Sequence, residues 1–474
     1  MAITAKNTKL ILLSIIICSF FLRFFRYSHR FVFNQDQARD TVMVMHALKH
    51  RQSLLLGSAA SAGPFNFGPI YHYAIAISKI IIPSFMAPWL MFTLISSLMP
   101  LIFYQIGKNV KNQTFGLILA TISCLSLSAV KNAPDMLNTI FIFYITSFAL
   151  LFLSVYLTKP SVKNLFLLSF FVGLTTTSHF QSLGLYTINL LMIIYNIKKP
   201  KKILIIIIGS LLPYLPNFIF DLNHNFVWIK SVFNYYFSGQ SIYYYPVRWL
   251  TDIFVFWPQL WGKTIAMINL SGYIFIAFFL LGFILSLKNI KKEKTLTVII
   301  ISFLLQIVLI RYYKGPRSEE YFFTFIAFFI FLTSWSIYQI IYRFKKSGKI
   351  IFIALVCVLS YQNYNLIITQ TSQAQKIIKI KKNIETETNQ NTFSFYTDSG
   401  SNMINMPLFY LLYDNHQITS AGYKIGTCNH NCPDPDKIIT NSPPYLIYNL
   451  NQPDLTNYQQ LTSEKIYNWL YVNY

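Results

Sequence analysis

The stretch Arg30–His50, RFVFNQDQARDTVMVMHALKH, follows the first long apolar run of the chain and places Asp36 and Asp40 around Arg39. An apolar run of about 20 residues is long enough to cross the hydrocarbon core of a membrane. Charged groups inside that core are costly, so they lie in hydrated loops, in pairs or in functional sites. What these three residues do therefore depends on how the rest of the chain crosses a membrane.

The composition is that of a membrane protein. Of 474 residues, 54% are hydrophobic and 12% are charged, and the mean hydropathy is +0.45. Soluble domains contain about 25% charged residues. The chain is therefore predicted to be an all-α polytopic membrane protein. Its net charge of +23 indicates loops that face cytoplasm and anionic lipid, and not a nucleic-acid partner.

Apolar runs of sufficient length predict about eleven transmembrane helices. The predicted spans are roughly 10–27, 88–107, 113–130, 136–157, 164–180, 181–197, 203–220, 266–287, 296–311, 321–342 and 350–368. The apolar stretch at 69–83 is shorter and more interrupted, so it predicts an interfacial or re-entrant helix.

Charge in the loops predicts the orientation. The segments 1–9, KNVKN, KPSVK, KKPKK, KNIKKEK and RFKKSGK hold eighteen Lys and Arg residues and one acid, Glu293. They alternate with the other loops, as the positive-inside rule requires. The N-terminus is therefore predicted inside and the C-terminus outside.

The other acidic residues of the membrane part all fall in predicted outer loops. They are Asp36, Asp40, Asp135, Asp221, Asp252, Glu319 and Glu320. Two interpretations remain open at this point. The outer loops are longer and have room for polar residues, or these carboxylates line an outward-facing cavity that performs chemistry.

The first outer loop is predicted to span 28–87. In it, DQARDTVMVMHALKH has helical periodicity with Val42, Met45 and Leu48 on one face and Met43 as a further candidate, which predicts an amphipathic helix lying on the membrane. Asp36 could be the N-cap of that helix or a functional carboxylate, and the sequence leaves both open.

The segment 369–474 is predicted to be a small α+β domain on the outer face. Its short runs FSFYT and PYLIYNL are typical of strands, and MINMPLFYLLY is typical of a helix. The motif CNHNC offers two cysteines and one histidine, one ligand short of a closed zinc site. A disulfide between Cys428 and Cys432 is therefore predicted, since the outer compartment is expected to be oxidising.

A family resemblance begins in the first outer loop. FNQDQARD followed by FGPIYHY resembles the corresponding loop of the GT-C glycosyltransferases, which include protein O-mannosyltransferases and the bacterial lipid A aminoarabinose transferases of glycosyltransferase family 39. In that family an Asp after the first span lies at the active site. Asp36, Ala38 and Arg39 match the pattern, whereas Gln37 replaces an acid and Asp40 replaces an aromatic residue. The match favours Asp36 over Asp40.

Four further segments resemble the family in the same order along residues 1–366. The resemblance of KNAPDMLNTIFIFY implies that Asp135 is a site residue, and that of TTTSHFQSLGLY implies the same for His179. LLPYLPNFIFDLNHNF resembles the end of the seventh span. RYYKGPRSEEYFF resembles the lipid-phosphate site, with Lys314, Arg317 and Tyr321 as the matching residues.

The resemblance implies a GT-C fold over 1–368 and transfer of a sugar from a polyprenyl-phosphate donor. The acceptor would be a lipid, a polysaccharide or a protein on the outer face of a bacterial inner membrane, and the anomeric centre would invert. Asp36 is the predicted general base, and Asp40 and Asp135 are further catalytic candidates. The predicted substrate-binding residues are Arg39, Tyr71, His179, Lys314, Arg317 and Tyr321.

Other functions and a cofactor also have to be considered. Some members of the family use a divalent metal ion, so such an ion near Asp36 and Asp135 is left open. A transporter or flippase for lipid-linked sugars is the main rival, and a polysaccharide polymerase or ligase is another. Transporters usually carry charged residues near the membrane midplane or show repeated halves, and neither feature is evident in this sequence.

Overall fold

The structure of the chain is a computed structural model. It describes residues 5–60, 63–235, 237, 248–266, 271–287, 293–311, 319–397, 406–427, 438–442, 445–449 and 459–469.

Helices dominate the first 369 residues. The α-helices are α1 Ala5–Phe24, α2 Tyr27–Arg30, α3 Gln35–His50, α4 Ile70–Ile81, α5 Ala87–Val110, α6 Gln113–Leu125, α7 Leu127–Lys131, α8 Asn138–Thr158, α9 Val162–Ser178, α10 Tyr186–Tyr195, α11 Pro200–Leu211, α12 Leu215–Asn223, α13 Val227–Asn234, α14 Arg248–Thr251, α15 Trp257–Ile265, α16 Ser271–Ser286, α17 Lys294–Arg311 and α18 Thr324–Thr369. Short 3₁₀ helices occupy Phe180–Leu185, Leu212–Tyr214 and Glu319–Phe322, and a π-helix occupies Asp252–Phe256.

Each predicted span coincides with helical structure. Within the described residues, six helical stretches are long and apolar enough to cross a membrane, namely Lys6–Phe24, Ala87–Val110, Asn138–Thr158, Pro200–Asn223, Lys294–Arg311 and Thr324–Thr388. The remaining predicted spans correspond to shorter apolar helices or to the second half of α18. An integral membrane protein is thereby supported, and the count of eleven crossings stays a prediction.

Helix α18 covers the last two predicted spans. A sharp break within it separates the two spans. Lys345 has a non-helical backbone, with φ 48° and ψ −106°. It lies in the polar run RFKKSGK, where the chain is predicted to emerge from the membrane. A Cβ on Gly348 would lie 2.6 Å from both Ile340 O and Ile341 Cα. A glycine at this position therefore allows the second half to approach the first closely.

Contacts at the two ends of the bundle agree with the predicted alternation of loops. At one end, Arg26 Nη1 donates to Ile368 O at 2.6 Å, so the ends of the first and last predicted spans meet. At the other end, Lys111 forms an ion pair with Glu293, and Thr8 Oγ1 donates to Gln113 Oε1 at 3.1 Å. Loops predicted to share a face do so in the structure.

The segment after α18 contains both helices and a sheet, and its being a separate outer-face domain stays a prediction. Its helices are α19 Ala374–Thr388, α20 Met406–Asp414 and α21 Ser463–Asn468, and its strands are β1 Phe393–Thr397, β2 Tyr423–Thr427, β3 Ile438–Ser442, β4 Tyr445–Asn449 and β5 Gln459–Gln460. The sheet order is β3-β4-β2-β1-β5. Strands β1 and β2 are parallel, and the other pairs are antiparallel. Residues Cys428 and Cys432 lie outside the described residues, so their disulfide stays a prediction.

This C-terminal segment packs on the first outer loop. Tyr410 OH donates to Phe85 O at 2.7 Å, and Asp414 forms a largely buried ion pair with Lys79 of α4. His46 of α3 stacks on Tyr467, with ring centroids 5.2 Å apart. The two segments therefore lie on the same face of the bundle.

That packing refines the predicted environment of α3. Val42 and Met43 of the predicted apolar face are buried, together with Val44, whereas Leu48 is 38% exposed. Helices α20 and α21 cover one side of α3, while α4 contacts another. Protein elements therefore cover much of this helix, and its predicted position on the membrane stays a prediction.

Candidate active site

The start of α3 is fixed by a capping box. Asn34 Oδ1 accepts from Gln37 N at 3.1 Å, and Gln37 Oε1 accepts from Asn34 N at 3.2 Å. Asn34 is therefore the N-cap, and Asp36 lies in the first turn. The interpretation of Asp36 as the cap is wrong. Because the neighbouring Asn34 already satisfies the helix end, the Asp36 carboxylate is available for another role.

Asp36, Arg39 and Asp40 form what we call the carboxylate–arginine cluster. Arg39 Nη1 lies 2.9 Å from Asp36 Oδ1, and Arg39 Nη2 lies 2.8 Å from Asp40 Oδ1. The Asp36 side chain is 49% exposed, whereas that of Asp40 is 5% exposed. The same guanidinium thus holds one accessible and one buried carboxylate.

Asp40 has further partners that Asp36 lacks among the described contacts. Arg39 Nε also donates to Asp40 Oδ1 at 2.8 Å, and Ser58 Oγ donates to Asp40 Oδ2 at 2.7 Å. A buried carboxylate needs hydrogen-bond donors to offset the loss of its hydration, and Arg39 and Ser58 supply them to Asp40. Asp40 is therefore suited to anchoring Arg39, and Asp36 is suited to contacting a ligand.

Asp135 lies directly behind α3. Gln37 Nε2 donates to Asp135 Oδ1, while Gln37 Oε1 accepts from Trp89 Nε1 at 3.1 Å. Tyr71 OH donates to Met136 O at 2.9 Å, next in the chain to Asp135. Tyr71 is only 2% exposed. Neither Asp135 nor Tyr71 lines the cavity beside α3. Both lie behind it and support the residues that do.

A cavity of about 480 Å³ opens beside the carboxylate–arginine cluster. Helix α3 contributes the cluster itself, and the following loop contributes Ser58 with Phe65 and Phe67. Other elements contribute Asn138, Thr139, His179, Phe180, Gln181, Tyr235, Glu320 and Tyr321. The cavity combines charged groups, uncharged hydrogen-bonding groups and aromatic rings, as ligand sites generally do.

The predicted site residues divide into three groups. Asp36, Arg39, Asp40, His179 and Tyr321 come together around the cavity. Asp135 and Tyr71 lie behind it. Lys314 and Arg317 lie outside the described residues, so their predicted phosphate-binding role stays a prediction.

The outer-loop acids do not share a single role. Asp36, Asp40 and Glu320 line the cavity. By contrast, Asp221 accepts from Trp228 N at 2.7 Å and Ile229 N at 3.0 Å, and thereby holds the first turn of α13. Glu319 forms an exposed ion pair with Lys263. Some of these acids thus line a cavity and others have structural partners elsewhere, and that the cavity performs chemistry stays a prediction.

Sequence reasoning missed several cavity residues. Ser58 lies in the run LLLGSAASAG, where nothing marks it as the partner of Asp40. Gln181 follows the predicted His179 by two positions and belongs to no motif. Glu320 is predicted only as an outer-loop acid. Their grouping depends on contacts between segments far apart in the chain.

The electrostatic environment separates the carboxyls from ordinary surface acids. Burial raises the pKa of Asp36, and the nearby charge of Asp40 raises it further, while Arg39 opposes both. Burial raises the pKa of Asp135 to about 7, and the charge of Glu320 acts in the same direction. Perturbed carboxyls beside a cavity are a general indication of a functional site.

The raised pKa of Asp135 predicts a pH-dependent stability. A folded Asp135 keeps its proton up to about pH 7, whereas its ordinary pKa is 3.8. Between these values only the unfolded chain ionises, so wild-type stability falls as pH rises. Asp135→Asn cannot ionise and can still accept from Gln37. We expect its stability relative to wild type to increase from pH 5 to pH 8, by about 3 kcal/mol at most.

Thermal unfolding in detergent across that pH range measures the effect. A difference between Asp135→Asn and wild type that does not change with pH would show that the carboxyl is not protonated in the folded protein. Asp414→Asn, outside the site, serves as the comparison variant.

The cluster does not fit a divalent ion between its carboxylates. Arg39 already contacts both Asp36 and Asp40, so its guanidinium occupies the position that a shared cation would need. Over the residues that the structure describes, no group of three or more His, Cys, Asp or Glu side chains could hold a metal ion. We derive no catalytic step through a metal, and an ion near Asp36 and Asp135 stays a prediction.

Comparison with known proteins identifies the fold. No protein-family model and no curated protein matches this chain. Among solved structures, apo ArnT from Cupriavidus metallidurans superposes with a TM-score of 0.61 at 8% identity, over 94% of this chain and 98% of ArnT. ArnT bound to undecaprenyl phosphate gives 0.56 at 9% identity, over 95% and 100% of the two chains.

A second enzyme shares the architecture. The Archaeoglobus fulgidus oligosaccharyltransferase tethered to an acceptor peptide gives a TM-score of 0.53 at 12% identity. The match covers 88% of this chain and 64% of that one. Both neighbours are GT-C glycosyltransferases. The chain therefore has the GT-C fold, which confirms the fold expected from the resemblance.

Proposed function

We propose that this protein transfers a sugar from a polyprenyl-phosphate donor to a hydroxyl group of an acceptor. The observation that carries the proposal is the carboxylate–arginine cluster at a cavity of a GT-C fold. ArnT, which has that fold, has been solved with undecaprenyl phosphate bound. A donor whose lipid remains in the membrane also accounts for a site built at the end of a membrane bundle.

The chemistry assigns the base to Asp36. Its carboxylate takes the proton of the acceptor hydroxyl, the acceptor oxygen bonds to the anomeric carbon, and the bond from that carbon to the phosphate oxygen breaks. Polyprenyl phosphate leaves with the electron pair. A half-exposed carboxylate with a raised pKa suits this role, because a base works best when its pKa approaches the working pH.

Arg39 keeps this base in position, since it contacts Asp36 at 2.9 Å. Asp40, which accepts a hydrogen bond from Ser58, anchors Arg39 from the buried side. A guanidinium at the cavity also offers positive charge to a phosphate. Lys314 and Arg317 are the further predicted phosphate ligands.

A single displacement inverts the anomeric centre. Retention would need a second carboxylate as nucleophile, and Asp40 is held by Arg39 and Ser58. We therefore propose inversion, and the anomeric configuration of the purified product, determined by NMR, tests it. A retained configuration would contradict the assignment of Asp36 as base in one step.

Purified protein in nanodiscs, offered a panel of polyprenyl-phosphate sugars with lipid, glycan and peptide acceptors, tests the activity. We expect release of polyprenyl phosphate together with a glycosylated acceptor. Transport of lipid-linked sugar across sealed proteoliposomes without release would favour a flippase. A parallel reaction with EDTA tests the predicted divalent ion.

We also propose that the cavity opens on the outer face of a bacterial inner membrane. In a chain whose native cysteines are replaced, we expect Glu387→Cys to react with a membrane-impermeant maleimide in cells with a permeabilised outer membrane. Lys346→Cys, at the break in α18, should react only after the inner membrane is lysed. The reverse pattern would contradict the proposed orientation.

A further inference from the structure

The backbone around His179 is fixed by three segments. His179 N donates to Thr175 O at 3.2 Å, and Ser182 N donates to His179 O at 3.0 Å. Gly68 N donates to Thr177 O at 2.7 Å, which ties the loop containing Phe67 to the same helix end. The position of His179 at the cavity is therefore determined by the fold.

The faces of the His179 ring are occupied by aromatic neighbours. Phe67 stacks on it, with centroids 4.6 Å apart and an interplanar angle of 24°, and Tyr321 lies 5.2 Å away at 31°. All three residues line the cavity, and His179 is only 5% exposed. With its faces occupied, the ring can bond a ligand only through an edge.

Two buried polar atoms on residues that line the cavity have no hydrogen-bond partner among the described residues. Within the described part of the chain, nothing hydrogen-bonds His179 Nδ1 or Thr139 Oγ1. Both residues line the cavity. Leaving a buried donor or acceptor unpaired is costly, so two such groups at one cavity indicate a ligand that can form hydrogen bonds.

The hydrogen-bonding capacity of the buried His179 ring narrows the kind of ligand. A neutral imidazole has one donor and one acceptor, which complements a hydroxyl group. It has no positive charge for pairing with a phosphate. The neighbouring Asn138 and Gln181 are also uncharged.

We propose that the edge of His179, together with Thr139, hydrogen-bonds a hydroxyl of the transferred sugar and selects the donor by that hydroxyl. This inference rests on the proposed sugar transfer and deepens it. It assigns the chemistry to the carboxylate–arginine cluster and the recognition of one sugar hydroxyl to His179 and Thr139, in a cavity that Glu320 also lines.

The test compares wild type with His179→Phe and His179→Gln. Phe keeps an aromatic ring between Phe67 and Tyr321 but removes both nitrogens, whereas Gln keeps hydrogen-bonding capacity. The substrates are the polyprenyl-phosphate sugar that wild type uses and its monodeoxy analogues. Binding of unglycosylated polyprenyl phosphate is measured on the same variants.

For His179→Phe we expect KM for the full donor to rise about tenfold, the effect of losing one or two uncharged hydrogen bonds. For the deoxy analogue that lacks the recognised hydroxyl, KM should be the same in His179→Phe and in wild type. The Kd for polyprenyl phosphate should stay the same, and His179→Gln should recover part of the loss.

Several results would overturn the inference. Equal losses on all donors with a lower Tm would assign His179 to packing, and weaker polyprenyl phosphate binding would assign it to the phosphate. If His179→Phe had the same KM as wild type for the full donor and for every deoxy analogue, the inference about His179 would be wrong. The proposed sugar transfer would still be supported by wild-type turnover. If wild type neither binds nor uses any sugar donor, both proposals fall.

Discussion

Replacing Asp36 by Asn is expected to reduce sugar transfer about 1,000-fold, in the range that a general base contributes to a reaction. Asn has nearly the same shape as Asp but cannot take the acceptor proton. Because Asp36 is half-exposed and does not cap α3, the variant should fold normally. Its turnover is measured as polyprenyl phosphate released per enzyme, with Tm recorded in parallel.

The matched control is Glu293→Gln. Glu293 also pairs with a basic residue, Lys111, but it lies at the opposite end of the bundle. Its replacement should leave turnover within about twofold of wild type, since it alters only a partly exposed ion pair. Equal losses in the two variants would show that the effect of Asp36→Asn is not specific to the cavity.

Replacing Arg39 by Met is expected to lower the free energy of unfolding by about 3 kcal/mol, because it leaves the buried carboxylate of Asp40 without its main partner. Asp40→Asn added to the same chain removes that charge and should restore much of the stability. Thermal unfolding of the single and double variants measures this recovery.

An exposed pair provides the comparison. Lys263 and Glu319 are 40% and 53% exposed in their side chains, so Lys263→Met should cost less than about 1 kcal/mol. If Arg39→Met were no more destabilising than Lys263→Met, or if Asp40→Asn gave no recovery, Asp40 would not depend on Arg39. The proposed division of roles between Asp36 and Asp40 would then be wrong.

The helical bundle could be predicted because its signals are local. A run of apolar residues identifies each helix, and the basic loops identify which ends lie together. The contact of Arg26 with Ile368 and the ion pair of Lys111 with Glu293 agree with that alternation. The break at Lys345 also follows from a local polar run.

The environment of α3 could not be predicted, since it depends on residues far along the chain. His46 and Val44 are buried because α20 and α21 pack on this helix, and their sequence lies more than 350 positions away. The periodicity of Val42, Met45 and Leu48 indicated a helix correctly, and Val42 and Met45 do pack on the core, whereas Leu48 is exposed.

The site could be predicted where its residues are close together in the sequence. Asp36, Arg39 and Asp40 are neighbours in the sequence, so helical spacing alone brings them close. The link from Gln37 to Asp135 and that from Asp40 to Ser58 join separate loops. No spacing in the sequence shows that Asp135 lies behind the cavity while Asp36 faces it.

The most direct test of the central claim is polyprenyl phosphate release by wild type, Asp36→Asn and Glu293→Gln in nanodiscs, with the same donor and acceptor. The account predicts turnover by wild type and Glu293→Gln, and a loss of about 1,000-fold in folded Asp36→Asn. Turnover by Asp36→Asn at the wild-type rate would contradict the assignment of this carboxylate as the base.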